Sequence, residues 1–530
     1  EAPPVDAPPA GASPAHAPPA FPTPRPRVRR RWYVAAAALV VAALALGWAR
    51  GIARTPEAPA APAPRSLAVL PFANMSADPG NAYFSDGLSE QIITALSQVE
   101  GLHVAARTSS FALRDARLDA RAIGDTLGVG ALLEGSVRRE GSRLRVTAQL
   151  IDAATGYHLW SGEFDREAAD VIAVQDEIAR AIADALELRL PPRAPPATPR
   201  AAPDLTAYDL YLRALHLRNG LDADDLAQAL TLLDRAIARD PDFALAWAAK
   251  ASVIAPRIYF RQVPYAAGVR DLRVAVDRAL ALDPSLGEAQ VALGILNLFF
   301  EWRWDDAGRA LRRAVALNPS DPHAWHHLAN YLNVVGRHAE AADARARSAA
   351  LDPLNARTRA VLSGDYARTG RPDAGRRQYE RARALDPMHP LLLGLGPTLP
   401  VAAHLAPPAM RPDELEQELL RLAVLRGATT AEVDAMRAAH AADGMPGLWR
   451  RWLAMDERQS GANLDPLRAA SLWAAIGDRA RAFERLERAY AERNPGLIYL
   501  ADDQIFAPLR GDPRMTRVLA GMGLAPIAAR

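Results

Sequence analysis

The stretch NPSDPHAWHHLANYLNVVGRHAEAADARARSAALDP, residues 318–353, decides the fold. It holds two helix-forming segments joined near Gly336 and is bracketed by Asn318-Pro319 and Asp352-Pro353. Proline ends a helix because it lacks an N–H donor and disfavours helical geometry in the residue before it. Working outward, the same punctuation recurs at Asp240-Pro241, Asp283-Pro284 and Asp386-Pro387, and the five prolines are spaced by 43, 35, 34 and 34 residues. Small and bulky positions recur with it. Ala289, Leu293 and Gly294 precede Ala307, Leu311 and Ala314; Ala324, Trp325 and Leu328 precede Gly336, Ala341 and Ser348; Leu362, Tyr366 and Gly370 precede Gly375, Tyr379 and Ala382. Small residues let two antiparallel helices approach, a bulky one fills the gap, and only the stack buries each unit's apolar face.

This pattern resembles the tetratricopeptide (TPR) repeat, which sets the expected fold class: mainly α, a TPR α-solenoid over 204–390. The unit carrying Ala246, Trp247 and Ala279 has about nine extra residues around 256–266, expected to bulge as a loop. Residues 391–530 read as degenerate helical, TPR-like sequence continuing the solenoid, with the pattern returning at Trp473, Gly477, Ala482, Leu486 and Ala489. The resemblance implies that the first helix of each repeat lines a groove. Aligned on Trp325, the groove positions are His323, His326, Asn330 and Asn333, followed by Arg357 and Arg368 in the next repeat. Imidazoles, amides and guanidinium groups are expected to grip a protein or peptide ligand through its backbone and a carboxylate.

Upstream, the periodicity changes. SLAVLPF (66–72) and LHVAAR (102–107) are buried-strand patterns. Residues 82–98 have helical spacing with Phe84, Leu88, Ile92 and Leu96 on one face, and 118–128 predict a short helix. Two alternating strands meet at a Glu140-Gly141-Ser142 turn, a further strand covers 157–165, and Asp170–Leu188 predicts an amphipathic helix. The result is a small α/β domain over 66–188, with Pro/Ala-rich linkers at 50–65 and 189–203. Its sequence, from SLAVLPFANMSADPG through LEGSVRREGSRLRVTAQLIDAATGYHLWSGEFDRE, resembles the TolB amino-terminal-like domain that precedes TPR arrays in bacterial membrane proteins. The tail RAFERLERAYAERN with IFAPLRGDPRM resembles the close of the same proteins. The resemblance implies an output module upstream: a winged-helix DNA-binding domain as in CadC- or ToxR-like regulators, a kinase, or an adenylate cyclase. Nucleic acid would be a partner only through that module.

Residues 1–31 are a Pro/Ala-rich tether ending in an arginine cluster. Trp32 to Ala49 is uncharged, with Trp32, Tyr33 and Trp48 at its ends, and predicts a transmembrane helix of about 27 Å. The arginine bias places the amino terminus in the cytoplasm and the carboxyl-terminal domains in the periplasm, as a single-pass protein of a bacterial inner membrane. No methionine precedes Met75, so an upstream domain is expected to be missing.

Composition excludes several chemistries. There is no cysteine, so disulfides and thiolate nucleophiles are out. Lys250 is the only lysine and follows Ala249, so no Gly-Lys phosphate loop exists. His-Glu-x-x-His, Gly-x-Ser-x-Gly and kinase signatures are absent. SDGLSE (85–90) reads as helix capping by Ser85 or Asp86. His323, His326 and His327 lack a carboxylate motif, and Arg376, Arg377, Arg381 and Arg383 read as a solvated face because acids are interleaved nearby. No catalytic residue, cofactor or metal is expected. The net charge of +2 argues for no nucleic-acid field. The function expected is a protein-binding sensor scaffold, the sensory half of a one-component transmembrane transcriptional regulator. The alternatives are an envelope-assembly scaffold and the sensory half of a receptor kinase or adenylate cyclase. Homo-oligomerisation stays open.

Overall fold

Strands β1 (Ser66–Val69) and β3 (His103–Val104) pair in parallel, and β1 continues in parallel to β4 (Ala131–Glu140). The sheet order is β3-β1-β4-β5-β6, with the two-residue β2 (Ala73–Asn74) also on β4. β5 (Arg143–Asp152) and β6 (His158–Glu167) are antiparallel. Glu140 faces Arg143 across the β4–β5 turn, where Gly141 takes φ +61°, a left-handed value that favours glycine. One face of the sheet buries Leu133, Val146 and Leu150 under α1 (Ala82–Leu96) and α4 (Val171–Ala185). The predicted stripe of Phe84, Leu88, Ile92 and Leu96 is fully buried there. The other face packs Ala68, Leu132 and Ile151 against Ile123 and Leu127 of α3 (Ala120–Leu127), with α2 (Arg107–Phe111) nearby in the chain. Capping by Ser85 or Asp86 is not what the structure uses, because α1 begins at Ala82. Asp86 lies inside the helix and pairs with Arg114 at 2.5 Å.

In this computed structural model residues 65–99, 101–186, 188, 204–218, 222–394 and 410–524 are described. The repeats form hairpins α5 (Leu205–Arg218)–α6 (Ala223–Arg239), α7 (Ala244–Tyr259)–α8 (Tyr265–Leu282), α9 (Gly287–Ile295)–α10 (Trp304–Leu317), α11 (Pro322–Val334)–α12 (His338–Leu351) and α13 (Ala356–Arg368)–α14 (Pro372–Leu385). Gly294 shows why small residues recur: a Cβ there would lie 2.5 Å from Leu311 on the partner helix. The extra residues near 256–266 are not a bulging loop. They lengthen α7 and α8, leaving residues 260–264 to connect them.

Beyond the fifth hairpin, α15 (Pro390–Leu393), α16 (Pro412–Leu425) and α17 (Thr430–Ser460) share a core with Ala360 and Tyr379. Residues 466–524 do not extend the stack. Helices α18 (Pro466–Ile476), α19 (Arg479–Ala491) and α20 (Pro513–Gly521), with 3₁₀ turns at Pro495–Tyr499 and Gln504–Leu509, fold back and share one core with α7 to α12. Tyr490 stacks on Trp302 at 5.8 Å, Arg261 pairs with Glu492 at 2.7 Å, and Trp304 Nε1 donates to the Met522 carbonyl at 3.0 Å.

The expected localisation as a single-pass inner-membrane protein is corrected: among the described residues no helix is long and apolar enough to cross a membrane. The predicted span 32–49 lies outside the described residues.

Candidate functional site

Helix α11 starts where Asp321 accepts the His323 amide at 2.8 Å, and Pro322 at its first turn sacrifices no hydrogen bond. Its 3.6-residue period then puts His326, Asn330 and Asn333 on one face. That face meets α12 and α13 rather than open solvent. His326, Asn330 and Asn333 are 6, 1 and 5 % exposed.

The reason is Arg345, which is completely buried on α12. Its Nε donates to Asp365 Oδ2 at 3.0 Å, one terminal nitrogen donates to the His326 carbonyl at 2.8 Å, and the other to Asn330 Oδ1 at 2.7 Å. Asn333 Nδ2 donates to Asp365 Oδ1 at 2.8 Å, and Arg368 reaches the same oxygen at 3.1 Å. The two asparagines predicted to hold a peptide therefore hold a buried ion pair. A buried guanidinium needs such partners, since desolvating it alone would cost several kcal/mol. Burial first, then the Arg345 and Arg357 charges, holds the His326 imidazole well below its usual range, so it is neutral at physiological pH.

Of the six predicted residues, His323 and Arg357 are exposed and flank a cleft of about 30 Å³ shared with Asp352 and Asn355. That volume holds a water or two, not a peptide chain. Arg368 is partly exposed and turned onto Asp365. The inner face beside α11 is occupied by the chain's own 3₁₀ turn Pro495–Tyr499, and Asp502 lies 3.7 Å from His338. Sequence reasoning missed Arg345 and Asp365. A signal existed: Leu311, Arg345 and Tyr379 stand 34 residues apart in one column, and a charge in an otherwise apolar column asks for a partner.

The same repeat also seats the α/β domain. Ser320 Oγ donates to the Leu102 carbonyl at 3.0 Å, and the Ala106 amide donates to the Leu351 carbonyl at 2.8 Å. Ser109 Oγ donates to Asp352 Oδ1 at 2.5 Å and accepts from the Leu354 amide at 2.9 Å. Asp352, which lines the small cleft, is thus bonded to the α/β domain. At its other side the domain packs on α5, where Tyr83 OH donates to Asp209 at 2.5 Å and Arg218 pairs with Glu90 at 2.8 Å. Gly87 permits this: a Cβ there would lie 2.8 Å from Leu212.

Among the described residues no group of three His, Cys, Asp or Glu is arranged to hold a metal ion. Of the histidine cluster of α11, His326 and His327 are tied into packing, with His327 edge-on to Phe299 at 5.9 Å.

Comparison with known proteins places two parts of the chain. Residues 63–181 match the family model described as the HilA/YgeH-like transcriptional regulator, second domain, the region read above as TolB amino-terminal-like. A protein named putative adenylate cyclase 3 of Rhizobium meliloti (strain 1021) is 43 % identical over 205 residues, covering 38 % of this chain and 35 % of that protein. The chain thus spans about a third of that relative's length. Among solved structures, TTC0263, a thermophilic TPR protein of Thermus thermophilus, covers 34 % of this chain and 92 % of its own at 18 % identity and TM-score 0.29. YrrB, titled a TPR protein with an unusual peptide-binding site, covers 34 % and 88 % at 21 % identity and TM-score 0.25. Likenesses of that extent say nothing of what this chain binds. The regulator-type domain and the TPR-like repeats fit a regulatory or sensor scaffold.

Proposed function

We propose that this chain is the input half of a regulatory protein: its repeats take a protein or peptide, and the α/β domain passes that occupancy to an output domain. The observation that carries the reading is the position of Asp352. Its carboxylate is bonded to Ser109 of the α/β domain, and it lines the cleft flanked by the exposed His323 and Arg357. A carboxylate-bearing peptide taken at that edge by Arg357 would press on the seat of the domain directly. His323, Arg357 and Arg368 are the partner-facing members of the predicted set. His326, Asn330 and Asn333 act behind them by fixing α11 against α13.

The output favoured is transcriptional regulation, supported by the regulator-type second domain. An adenylate cyclase output is the second reading, supported by the name of the matched relative.

An array of peptides with free carboxyl termini, titrated against the full chain, tests the site. Bound peptides should lose at least about tenfold in affinity in Arg357→Glu, as expected for a charge-assisted contact. Peptides that bind equally well to Arg357→Glu and His323→Ala would refute the placement.

A further inference from the structure

In the second to fifth repeats, a side chain six residues after the opening proline reaches back to that proline's carbonyl. Trp247 Nε1 does so at 2.9 Å, Trp325 Nε1 at 2.8 Å and Arg359 Nε at 2.7 Å. In the third repeat the same bond, at 3.4 Å, comes from Gln290. Thirteen residues after the proline, the other repeats place Ile254, Leu332 and Tyr366, and the third places Asn297. The third repeat therefore keeps the backbone plan and swaps two bulky or apolar side chains for amides.

Its backbone departs at the same point. The spacing Pro284 to Pro319 is 35 residues, one more than in the next repeats. The extra residue is taken up by a π-helical turn, Leu296–Glu301, closed by Trp302 at φ +58°. Such turns interrupt the α-helical ladder and are frequent at functional sites, and a tryptophan in the left-handed region is strained.

The outcome is a cavity of about 380 Å³ between α8, α9 and α10. Gln290 and the buried Asn297 line it together with Arg273, Arg303, Arg309 and Arg313. Asn297 is 2 % exposed, and its amide oxygen is buried with no hydrogen-bond partner. Three carboxylates temper the arginines: Glu301 pairs with Arg273 and Arg303, Asp306 pairs with Arg303 and Arg309, and Asp277 lies 4.0 Å from Arg273. Four guanidinium groups against three carboxylates leave one positive charge. Arg313, exposed, pairs with no carboxylate among the described residues.

We propose that this cavity binds a small organic oxyanion, carboxylate or phosphate, that also carries hydroxyl or amino donors. The anionic group would sit against Arg313 and its neighbours, as guanidinium forks favour oxyanions. A donor on the ligand would satisfy the orphaned Asn297 oxygen. The volume falls in the range of small-molecule sites. This site is separate from the His323–Arg357 edge and does not rest on it.

Calorimetric titration of the full chain with citrate and with ribose 5-phosphate tests it, the pair distinguishing carboxylate from phosphate. At least one should bind, and Arg313→Glu should weaken it at least about tenfold. The double variant Gln290→Trp/Asn297→Leu installs the fourth repeat's residues; it should abolish binding while its melting temperature holds or rises. If neither probe binds the wild type at millimolar concentration, or if the double variant still binds, the proposal is overturned. Should the double variant not fold, the surface change Arg313→Glu decides alone, and unchanged affinity overturns it.

Discussion

The third and fourth repeats are built on one backbone plan and use their polar residues in opposite ways. In the fourth, Arg345 is sealed inside and each of its three guanidinium nitrogens donates to Asp365, Asn330 or a carbonyl. In the third, arginines line an open cavity beside an amide oxygen without a partner. A satisfied buried network fixes how helices pack, whereas an unsatisfied one beside a cavity is a place for something else to bind. The contrast separates the part of the solenoid that holds its shape from the parts available to ligands.

The largest effect should come from breaking the sealed network. Arg345→Leu, which copies Leu311 of the third repeat, leaves Asp365 buried without its main partner and should cost about 3–5 kcal/mol in urea denaturation. Adding Asp365→Asn should return most of it. A single variant as stable as wild type would mean that the ion pair is not sealed.

Next comes the seat of the α/β domain. Ser109→Ala removes a bond to the buried Asp352 carboxylate and should cost about 1.5–3 kcal/mol, with faster hydrogen exchange over residues 102–109. A loss confined to the solenoid would separate the two parts.

Acid should act more gently. His326 is neutral in the fold because burial and the arginine charges depress it, while in the unfolded chain it protonates near pH 6.5. The unfolded state therefore binds the extra proton first. Its contribution is fully present above about pH 6.5 and falls by about 1.4 kcal/mol per pH unit below it. His326→Asn should flatten the slope between pH 6.5 and 5.5; an unchanged slope would assign it to other groups.

The smallest effect is expected at the edge itself. His323→Ala and Arg357→Glu should change stability by less than about 0.5 kcal/mol, because both side chains are exposed, while changing peptide capture.

The repeats were legible because proline punctuation and small-residue columns are local signals. So were the strands, since alternation from Ala131 to Asp152 and the Gly141 turn leave little choice of pairing. The use of the α11 face was not legible. Asn330 and Asn333 look like groove residues when α11 is considered alone. What claims Asn330 is Arg345 and what claims Asn333 is Asp365, and the 3₁₀ turn that packs beside α11 comes more than 150 residues later, at Pro495–Tyr499. Sequence spacing carries no information on that return of the chain. The third-repeat cavity was half legible: Gln290 and Asn297 break the columns of Trp325 and Leu332, but the cavity itself depends on the π turn.

Coupling between the solenoid edge and the α/β domain is the claim on which the function rests, and the amide of Ala106, bonded to the Leu351 carbonyl, reports it. Hydrogen exchange at that amide should be measured in the full chain with and without a peptide whose binding depends on Arg357. Changed protection of Ala106, lost in Arg357→Glu, is the predicted result. Saturating peptide that leaves Ala106 exchanging at its original rate would contradict the account.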